Sequence, residues 1–459
     1  MCGIVGISGF EHAAELAFLG LYALQHRGQE AAGICAVEDD GTIALERASG
    51  LVVEGFDDKM LRRLKGSIAL GHTRYSTAGG AGLVNSQPLV ARYHQGELAL
   101  VHNGNLTNAQ QLRRALVAEG ALFQGTVDTE VLVHLIARSR APTVDGQIRH
   151  ALSQLTGAFS VVITIGNAVY AARDPWGYRP LVLGKLEHGW VLASETCALD
   201  LMHAEFVRQV EPGELLKIVD GEIESLPALG RAERVQPCIF ELIYFARPDS
   251  IVWGETVDRA RREFGRQLAR EHPADADCVF SVPDSSNSAA LGFSEESGIP
   301  LELALIRNHY VGRTFIHPTQ AGRDFRVRIK YNPVKEVIAG KRVVVVDDSL
   351  VRGTTSHGLV QLIREAGARE VHLRVASPPV KHPCYYGIDM PTHEELIAAN
   401  LTVDEIRDTL EVDSLGYLSL EGMQACLTGD GPFCHACFSG EYVAPLVDLE
   451  EGLPVTTHC

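Results

Sequence analysis

The sequence predicts a chain of two differently built halves: an α+β half, followed by an α/β half with a parallel sheet. In the first half, "AFSVVITIGNAVYAARD" places Gly166-Asn167 between two β-rich runs, and "LLKIVDGEIESL" does the same with Asp220-Gly221. Turns of two such residues join antiparallel strands. In the second half, "GKRVVVVDDSLVRGTTSHGLVQLIREAGAREVHLRVAS" reads strand, loop, helix and strand. That order is the βαβ unit of a parallel sheet.

Further elements follow from local patterns along the chain. Apolar residues at helical spacing predict a helix in "AAELAFLGLYALQHRG", with Gly28 near its end. Beyond residue 250, "VDRARREFGRQLAREH" predicts an amphipathic helix, and "ADCVFSVPDSSNSAALGF" predicts a buried strand, a loop and the start of a helix. The polar stretch "ALGRAERVQPCIF" lacks periodicity and marks a boundary. We therefore predict domains at 1–232 and 233–400, with a helical tail at 401–459 packed on the body.

Composition narrows the possible functions. The 459-residue chain is 46% hydrophobic and 22% charged, with a formal net charge of −17. Such a chain repels nucleic-acid phosphates. No apolar run approaches the roughly 18 residues of a transmembrane helix, and the N-terminus lacks the basic region of a signal peptide. We therefore expect a cytoplasmic protein, in which ten cysteines favour catalytic or metal-ligand roles for a subset over a disulfide framework.

The loop "VVVVDDSLVRGTTS" is the most specific stretch of the sequence. Asp347 and Asp348 end a buried strand, at the edge where open α/β sheets bind ligands. A helix begins just after them, and its first N–H groups can bind phosphate. An ordinary capped turn would not need Asp-Asp and Gly-Thr-Thr together, and the chain has no Walker A motif. The predicted binding residues are Asp347, Asp348, Ser349, Arg352, Gly353, Thr354, Thr355 and Ser356.

This loop resembles the phosphoribosyl-diphosphate (PRPP) motif of type I phosphoribosyltransferases. The resemblance implies that Asp347 and Asp348 contact the ribose hydroxyls or a bound Mg²⁺, and that the following loop holds the 5-phosphate. "SVPDSSNSAA" resembles the pyrophosphate-side loop of that family, with Ser285 as a further contact near the metal. "YVGRTFIHPTQ" resembles its flexible flap, which we place over residues 307–330.

Six motifs of the first half occur in a fixed order: "MCGIVGISG", "LQHRGQEAAG", "GHTRYSTAG", "NSQPL", "VHNGNLTN" and "VDTEVL". On position alone, Cys2 could be a small buried residue of a first strand. Together the motifs resemble the glutaminase domain of class II, N-terminal-nucleophile amidotransferases, whose fold is an αββα sandwich. The resemblance implies that Cys2 becomes the nucleophile once Met1 is removed. A free α-amino group, with a pKa of about 7.7–8.0, can act as the base for its own thiol.

The same resemblance implies roles for four other residues. Asn103 and Gly104 would form the oxyanion hole, which needs donors aimed at developing negative charge. Arg74 would bind the glutamine α-carboxylate, for which a guanidinium is well shaped. Asp128 would accept from the glutamine α-ammonium. Each residue also has a plain structural alternative: a surface ion pair for Arg74, a hairpin turn for Asn103-Gly104, and a helix cap for Asp128.

A class II glutaminase domain joined to a type I phosphoribosyltransferase domain resembles the glutamine phosphoribosylpyrophosphate amidotransferase family. The resemblance implies that glutamine and PRPP are substrates, that ammonia passes between two sites, and that phosphoribosylamine is made as the first step of purine synthesis. It also implies a homotetramer inhibited by purine nucleotides. Two alternatives are an amidotransferase with another acceptor, and a non-catalytic regulator that binds PRPP and nucleic acid. The negative charge and the Cys2 motifs argue against the second.

Four cysteines of the second half, Cys238, Cys384, Cys434 and Cys437, are candidate metal ligands. Four thiolates suit zinc or an iron–sulfur cluster, and the residues themselves do not choose between them. The flanking sequences resemble the iron–sulfur subgroup of the family, which implies a [4Fe–4S] cluster. The alternative is four buried cysteines without metal. Only Met1 precedes Cys2, whereas many members of that subgroup carry a propeptide, so methionine removal would suffice for maturation here.

Overall fold

The first half of the chain consists of two stacked antiparallel sheets. The structure, a computed structural model, describes residues 1–75, 82–309, 327–390, 392–429 and 432–453. One sheet has seven strands, in the spatial order Glu205–Gln209, Val182–Lys185, Trp190–Ala193, Gly3–Ser8, Ile68–Arg74, Ala31–Val37 and Ile43–Ser49. The other has six, in the order Glu222–Leu226, Leu215–Val219, Ala168–Arg173, Gly157–Ile165, Gly96–Leu106 and Leu89–Tyr93.

Helices cover the outer faces of both sheets. Side chains such as Ile4 and Leu70 from one sheet pack against Val101 and Val162 from the other. Strands covered on both faces are buried at every position, as in Gly157–Ile165, and therefore read as apolar runs. The seven-stranded sheet is covered by helices Ala13–Ala23 and Thr196–Leu201, and the six-stranded sheet by Ala109–Ala118, Thr129–Arg138 and Val144–Leu152. The predicted αββα sandwich is confirmed.

The predicted turns of the first half are also present. Gly166-Asn167 joins Gly157–Ile165 to Ala168–Arg173, and Asp220-Gly221 joins Leu215–Val219 to Glu222–Leu226. The helix predicted to end near Gly28 stops at Ala23, and a 3₁₀ turn at Gln25–Arg27 carries the chain to that glycine. Other short helices lie at Val52–Gly55, Asp58–Arg63 and, as a 3₁₀ turn, Leu83–Asn85.

The second half is built on a parallel sheet with helices on both faces. Its four strands are, in spatial order, Cys278–Ser281, Arg342–Asp347, Glu370–Val375 and Ser414–Tyr417. Helices Thr354–Glu365 and Val403–Leu410 pack on one face, and Val257–Glu271 and Asn287–Ser297 on the other. The predicted βαβ unit is confirmed. The segment after residue 400, predicted as a helical tail, supplies one strand of this sheet as well as helices.

Shorter elements connect these parts. Two antiparallel ribbons pair Ile251–Val252 with Glu255–Thr256, and Leu305–Arg307 with Tyr331–Pro333. A π-helical turn lies at Glu241–Phe245, and short helices lie at Lys335–Ile338, His393–Glu395, Ile397–Asn400, Leu420–Ala425, Ala436–Ser439 and Val447–Glu450. The domain boundaries at 232 and 400 stay predictions. No helix of the described residues is long and apolar enough to cross a membrane.

The C-terminal segment is held on the first half through Asp448. The carboxylate of Asp448 accepts from the backbone N–H groups of Gln110 and Gln111, both at 2.9 Å. These N–H groups belong to the first turn of helix Ala109–Ala118, whose N-terminal residue Asn108 provides no side-chain cap. Asp448 is 3% exposed. Asp448 therefore caps a helix that lies more than three hundred residues earlier in the chain.

We predict that Asp448→Ala destabilises the protein by about 2–3 kcal/mol, because two buried N–H groups lose a charged acceptor. Asp57→Ala is the matched control: Asp57 caps helix Asp58–Arg63 locally by accepting from Met60 N. That change should cost about 1 kcal/mol. Thermal unfolding and limited proteolysis of the C-terminal segment measure both effects. Equal losses in the two variants would contradict a special role for the long-range cap.

Candidate active site

Cys2 lies where the two sheets of the first half meet. It directly precedes strand Gly3–Ser8 and is 5% exposed. Its backbone N–H donates to Asn103 Oδ1 at 3.2 Å. Asn103 lies on Gly96–Leu106, a strand of the other sheet, so this hydrogen bond joins the sheets at the predicted nucleophile. Once Met1 is removed, the same nitrogen is the α-amino group.

The predicted oxyanion-hole residues lie beside Cys2. The Asn103 side-chain Nδ2 is buried and has no hydrogen-bond partner among the described residues. A buried donor left unpaired costs about 1–3 kcal/mol, and an accepting oxyanion would remove that cost. Gly104 has a positive φ of 156°, and a Cβ there would lie 2.0 Å from the Ala158 carbonyl oxygen. The backbone at this position therefore requires glycine.

One pocket brings the predicted glutamine-site residues together. Cys2, Arg74, Gly104 and Asp128 all line it. The other described lining residues are His72, Asn85, Gln87, His102, Val127 and Thr129. Arg74 is buried, and its Nη1 donates to the Gly82 carbonyl at 3.3 Å. Residues 76–79 of the "GHTRYSTAG" motif lie outside the described residues.

Asp128 has structural partners in addition to its predicted ligand. Its carboxylate accepts from Leu106 N at 3.0 Å and from Thr129 N at 2.7 Å, at the start of helix Thr129–Arg138. His102 Nδ1 lies 3.7 Å from Asp128 Oδ1. Burial alone would raise the pKa of Asp128, but His102 and these hydrogen bonds hold that pKa below its usual value. Burial likewise opposes protonation of His102, yet Asp128 raises the pKa of this imidazole.

His72 contributes a second imidazole to the pocket. It lies two residues before Arg74 on strand Ile68–Arg74, hence on the same face of the strand. Neither ring nitrogen has a hydrogen-bond partner among the described residues. Burial, followed by the charges of Arg74 and His102, lowers the pKa of His72 to about 3. His72 is therefore neutral. Sequence reasoning missed both histidines, although each stands inside a quoted motif.

The acidic pair of the second half lies at the carboxyl edge of the parallel sheet. Asp347 ends strand Arg342–Asp347, and the buried Asp348 follows. Ser285 Oγ donates to Asp348 Oδ2 at 2.5 Å, and Ser349 Oγ donates to Asp348 Oδ1 at 2.7 Å. Ser286 Oγ lies 3.3 Å from Asp347 Oδ1. The structure thus brings Ser285, from the loop after a neighbouring strand, to the two predicted acids.

The environment of Asp347 and Asp348 disfavours two negative charges. Burial raises the pKa of both carboxyls, and the charge of Asp348 raises that of Asp347 further. Two carboxylates and the hydroxyl of Ser285 are the hard oxygen ligands that Mg²⁺ prefers. These residues therefore fit a divalent cation, which would offset their mutual repulsion.

The predicted phosphate loop ends in an open helix N-terminus. Gly353, with φ +76°, precedes helix Thr354–Glu365 and provides no side-chain cap. The positive φ favours glycine here, and a Cβ would also lie 2.6 Å from Ile397 Cδ1. Thr354 and Thr355 are exposed and Ser356 is buried. The first N–H groups of this helix can therefore donate hydrogen bonds to a phosphate. The exposed Arg352 guanidinium lies 3.4 Å from the carboxylate of Glu395.

The predicted flap can be described only at its two ends, because residues 310–326 lie outside the described residues. Leu305–Arg307 pairs with Tyr331–Pro333, and Asn308 N donates to the Lys330 carbonyl at 2.8 Å. Arg307 Nη1 also forms an ion pair with Asp284 Oδ2 at 2.7 Å. The base of the flap is thus tied to the loop that carries Ser285.

The four candidate ligand cysteines share one hydrophobic cluster. Cys238, Cys384, Cys434 and Cys437 are between 6% and 9% exposed. A parallel β-bridge joins Cys238 to Cys434. Burial raises the pKa of Cys238 to about 11, and it raises the pKa of Cys434 and Cys437, whose thiols also interact electrostatically with Cys238 and Cys384. The four side chains therefore lie in one region of the core.

No group of three or more His, Cys, Asp or Glu side chains that could hold a metal ion is present in the ranges the structure describes. A metal site formed by the four cysteines therefore stays a prediction.

Comparison with known proteins gives full-length relatives. The glutamine amidotransferase domain family matches residues 72–201. The amidophosphoribosyltransferase of Synechococcus elongatus is 49% identical over 460 residues, covering 98% of this chain and 92% of that protein. A solved structure of the allosteric regulatory enzyme of purine biosynthesis superposes with a TM-score of 0.94 at 47% identity, covering 100% of this chain and 99% of the other. Glutamine PRPP amidotransferase of Bacillus subtilis, complexed with ADP and GMP, superposes at 0.91 with 47% identity, covering 97% and 98%.

Proposed function

The chain belongs to the amidophosphoribosyltransferase family, and we propose that its two half-reactions are carried out by Cys2 and by the loop that begins at Asp347. The observation that supports this assignment most strongly is the hydrogen bond from Cys2 N to Asn103 Oδ1, in a pocket that also contains Arg74 and Asp128. It supports a site in which Cys2 acts as nucleophile, its α-amino group as base and the Asn103 amide as donor.

In the first half-reaction, the α-amino group of Cys2 takes the thiol proton, and the thiolate attacks the amide carbon of glutamine. Asn103 Nδ2 and the Gly104 N–H stabilise the oxyanion that forms. The protonated α-amino group then gives this proton to the leaving nitrogen, so that ammonia departs as the glutamyl thioester forms. Water hydrolyses the thioester and releases glutamate. Arg74 and Asp128 bind the α-carboxylate and α-ammonium of glutamine. His72, being neutral, adds no positive charge that would compete with the substrate amine.

In the second half-reaction, ammonia displaces pyrophosphate from C1 of PRPP and gives phosphoribosylamine. The N–H groups at the start of helix Thr354–Glu365 bind the 5-phosphate, and Asp347 and Asp348 bind the ribose hydroxyls. Ammonia released into water would mostly become ammonium and lose its nucleophilic lone pair. We therefore propose that a closed path between the sites forms when PRPP binds.

Two metal groups belong to this proposal. Ser285, Asp347 and Asp348 would hold Mg²⁺, which supplies charge neutralisation for the departing pyrophosphate. Cys238, Cys384, Cys434 and Cys437 would hold a [4Fe–4S] cluster with a structural role. The four cysteines belong to one hydrophobic cluster of the core, which supports their assignment as a single ligand set.

Regulation and assembly complete the proposal. The Bacillus subtilis relative was solved with ADP and GMP. We propose that purine nucleotides bind and inhibit this enzyme, and that it functions as a cytoplasmic homotetramer.

The whole assignment is tested by supplying glutamine and PRPP together. Glutamate and pyrophosphate should form in equal amounts. Glutamate without pyrophosphate would indicate a different acceptor, and the absence of both products would indicate a non-catalytic protein.

We predict that Cys2→Ala abolishes glutamine-dependent synthesis but leaves ammonia-dependent synthesis within about twofold of the wild type. The change removes the nucleophile and leaves the Asp347 loop intact. Pyrophosphate release with glutamine and with ammonium salt at pH above 8 measures the two activities. Cys35→Ala, which removes a buried thiol from a strand two positions away in the same sheet, should retain both. A folded Cys2→Ala protein that cannot use ammonia would refute the division between sites.

We predict that Asp347→Asn and Asp348→Asn each raise the KM for PRPP at least about tenfold while basal glutaminase activity survives, because a charged ligand to the ribose diol is lost. Asp277→Asn is the control. Asp277 precedes the neighbouring strand Cys278–Ser281 at the opposite, amino edge of the sheet. Steady-state kinetics with varied PRPP measure the effect. Unchanged KM values in both variants would show that the acids do not bind PRPP.

We predict that anaerobically purified protein is brown and contains about four iron and four labile sulfides per chain. Cys437→Ser should reduce iron content and soluble yield more than it reduces the turnover of the surviving enzyme. Cys426→Ser is the control, because Cys426 lies outside the four-cysteine set. Metal analysis distinguishes the three interpretations of the four cysteines. Stoichiometric zinc without sulfide would show a zinc site instead of a cluster. The absence of any metal would show that they are ordinary core residues.

A further inference from the structure

Buried charges between the two halves of the chain centre on Arg27, which neither half-reaction uses. Arg27 belongs to the motif "LQHRGQEAAG" and is 0% exposed. Its Nε donates to the backbone carbonyl of Cys2 at 3.0 Å. A guanidinium thus touches the nucleophilic residue directly, on the side opposite the contact between Cys2 N and Asn103.

Two carboxylates fix the orientation of Arg27. Glu241, from the second half, accepts from Nη1 and from Nη2, each at 2.9 Å. Glu195, from the first half, accepts from Nη1 at 2.6 Å. A bidentate pair such as that with Glu241 sets the plane of the guanidinium as well as its position. The direction in which Nε points toward Cys2 therefore depends on a residue of the other half.

The charges in this cluster are balanced. Arg179 Nη1 lies 3.5 Å from Glu241 Oε1. Arg27 and Arg179 therefore face Glu195 and Glu241, and all four side chains are 0% exposed. Burial would lower the pKa of Arg27, but Glu241 and then Glu195 raise it overall. Removing one carboxylate would leave an uncompensated buried charge, and the guanidinium would have to move to recover a partner.

Glu241 is held in place by a second arginine. It is the first residue of the π-helical turn Glu241–Phe245. The carbonyls of Leu242 and Ala246 accept from Arg261, at 2.9 and 2.8 Å. The turn that presents Glu241 is thus fixed by a buried arginine of helix Val257–Glu271.

We propose that Glu241 is a positioning residue for glutamine hydrolysis: by orienting Arg27, it fixes the carbonyl side of Cys2, while Asn103 fixes the amino side. Both contacts use atoms that Cys2 keeps after Met1 is removed. The inference rests on the proposed function, because it needs Cys2 as the nucleophile. The second half of the chain thereby contributes to the chemistry of the first without touching its substrate.

The test is Glu241→Gln, which keeps the shape of the side chain and removes its charge. We expect kcat for glutamine hydrolysis to fall at least about tenfold, since small misplacements of a reacting group carry large rate penalties. The KM for glutamine should stay within about twofold, because Arg74 and Asp128 are untouched, and so should ammonia-dependent synthesis. Glu255→Gln is the matched control: Glu255 is 1% exposed, pairs with Arg259, and lies away from Cys2. It should leave all three quantities unchanged.

A second variant, Arg27→Lys, keeps the charge but removes the fork and the Nε donor. It should show the same selective loss of kcat, and it carries the test if Glu241→Gln does not fold. Unchanged kcat in folded Glu241→Gln, or an equal loss of ammonia-dependent synthesis, would overturn the positioning role. Misfolding of both variants beside a folded Glu255→Gln would show a purely structural cluster. Wild-type enzyme that fails to couple glutamate to pyrophosphate would instead overturn the proposed function.

Discussion

The structure depends on holding the start of the chain between two sheets. Chain ends usually fray, but here Cys2 leads into a strand that lies between Ile68–Arg74 and Trp190–Ala193, in the interior of the seven-stranded sheet. The hydrogen bond from Cys2 N to Asn103 then connects this sheet to the other one. A terminal residue can act as both nucleophile and base only if it has one conformation. The αββα sandwich fixes that conformation, because the terminus is enclosed where its two sheets meet.

The second site is built at the edge of a parallel sheet, which brings together residues that lie far apart in the sequence. Parallel strands end at one edge, so the loops that follow two neighbouring strands meet there. Ser285 and Asp348 reach each other in this way, although 63 residues separate them. The cost is two carboxylates at a crowded edge: burial raises the pKa of both, and the charge of Asp348 raises that of Asp347 further. The serine hydroxyls offset part of that cost, and a positively charged ligand would offset more.

Local sequence patterns predicted the sheets, the hairpins and the acidic loop because each has a short-range physical cause. Gly166-Asn167 demands a turn, and four consecutive valines favour a buried strand. Long-range partners have no such signature. Arg27 reads as a basic residue after a helix, and Glu241 as part of an apolar stretch, yet 214 residues apart they form a bidentate pair. The strand Ser414–Tyr417 is too short to show periodicity, so its place in the parallel sheet could not be anticipated. His72 and His102 stood within recognised motifs, but only burial reveals what their neighbours do to their protonation.

Cys238 and Glu241 lie three residues apart on one segment, which links a candidate metal ligand to the buried charges. Cys434 N donates to the Pro237 carbonyl at 2.8 Å, and Ile239 N donates to the Cys434 carbonyl at 3.2 Å. The backbone around Cys238 is therefore already fastened to the C-terminal segment by hydrogen bonds. Glu241 follows three residues later, inside the same packed cluster. Any group that fixes Cys238 also fixes the carboxylate that orients Arg27, and through it Cys2. A change in the four-cysteine region can therefore affect the reaction at Cys2, because this region determines where the buried carboxylate of Glu241 is placed.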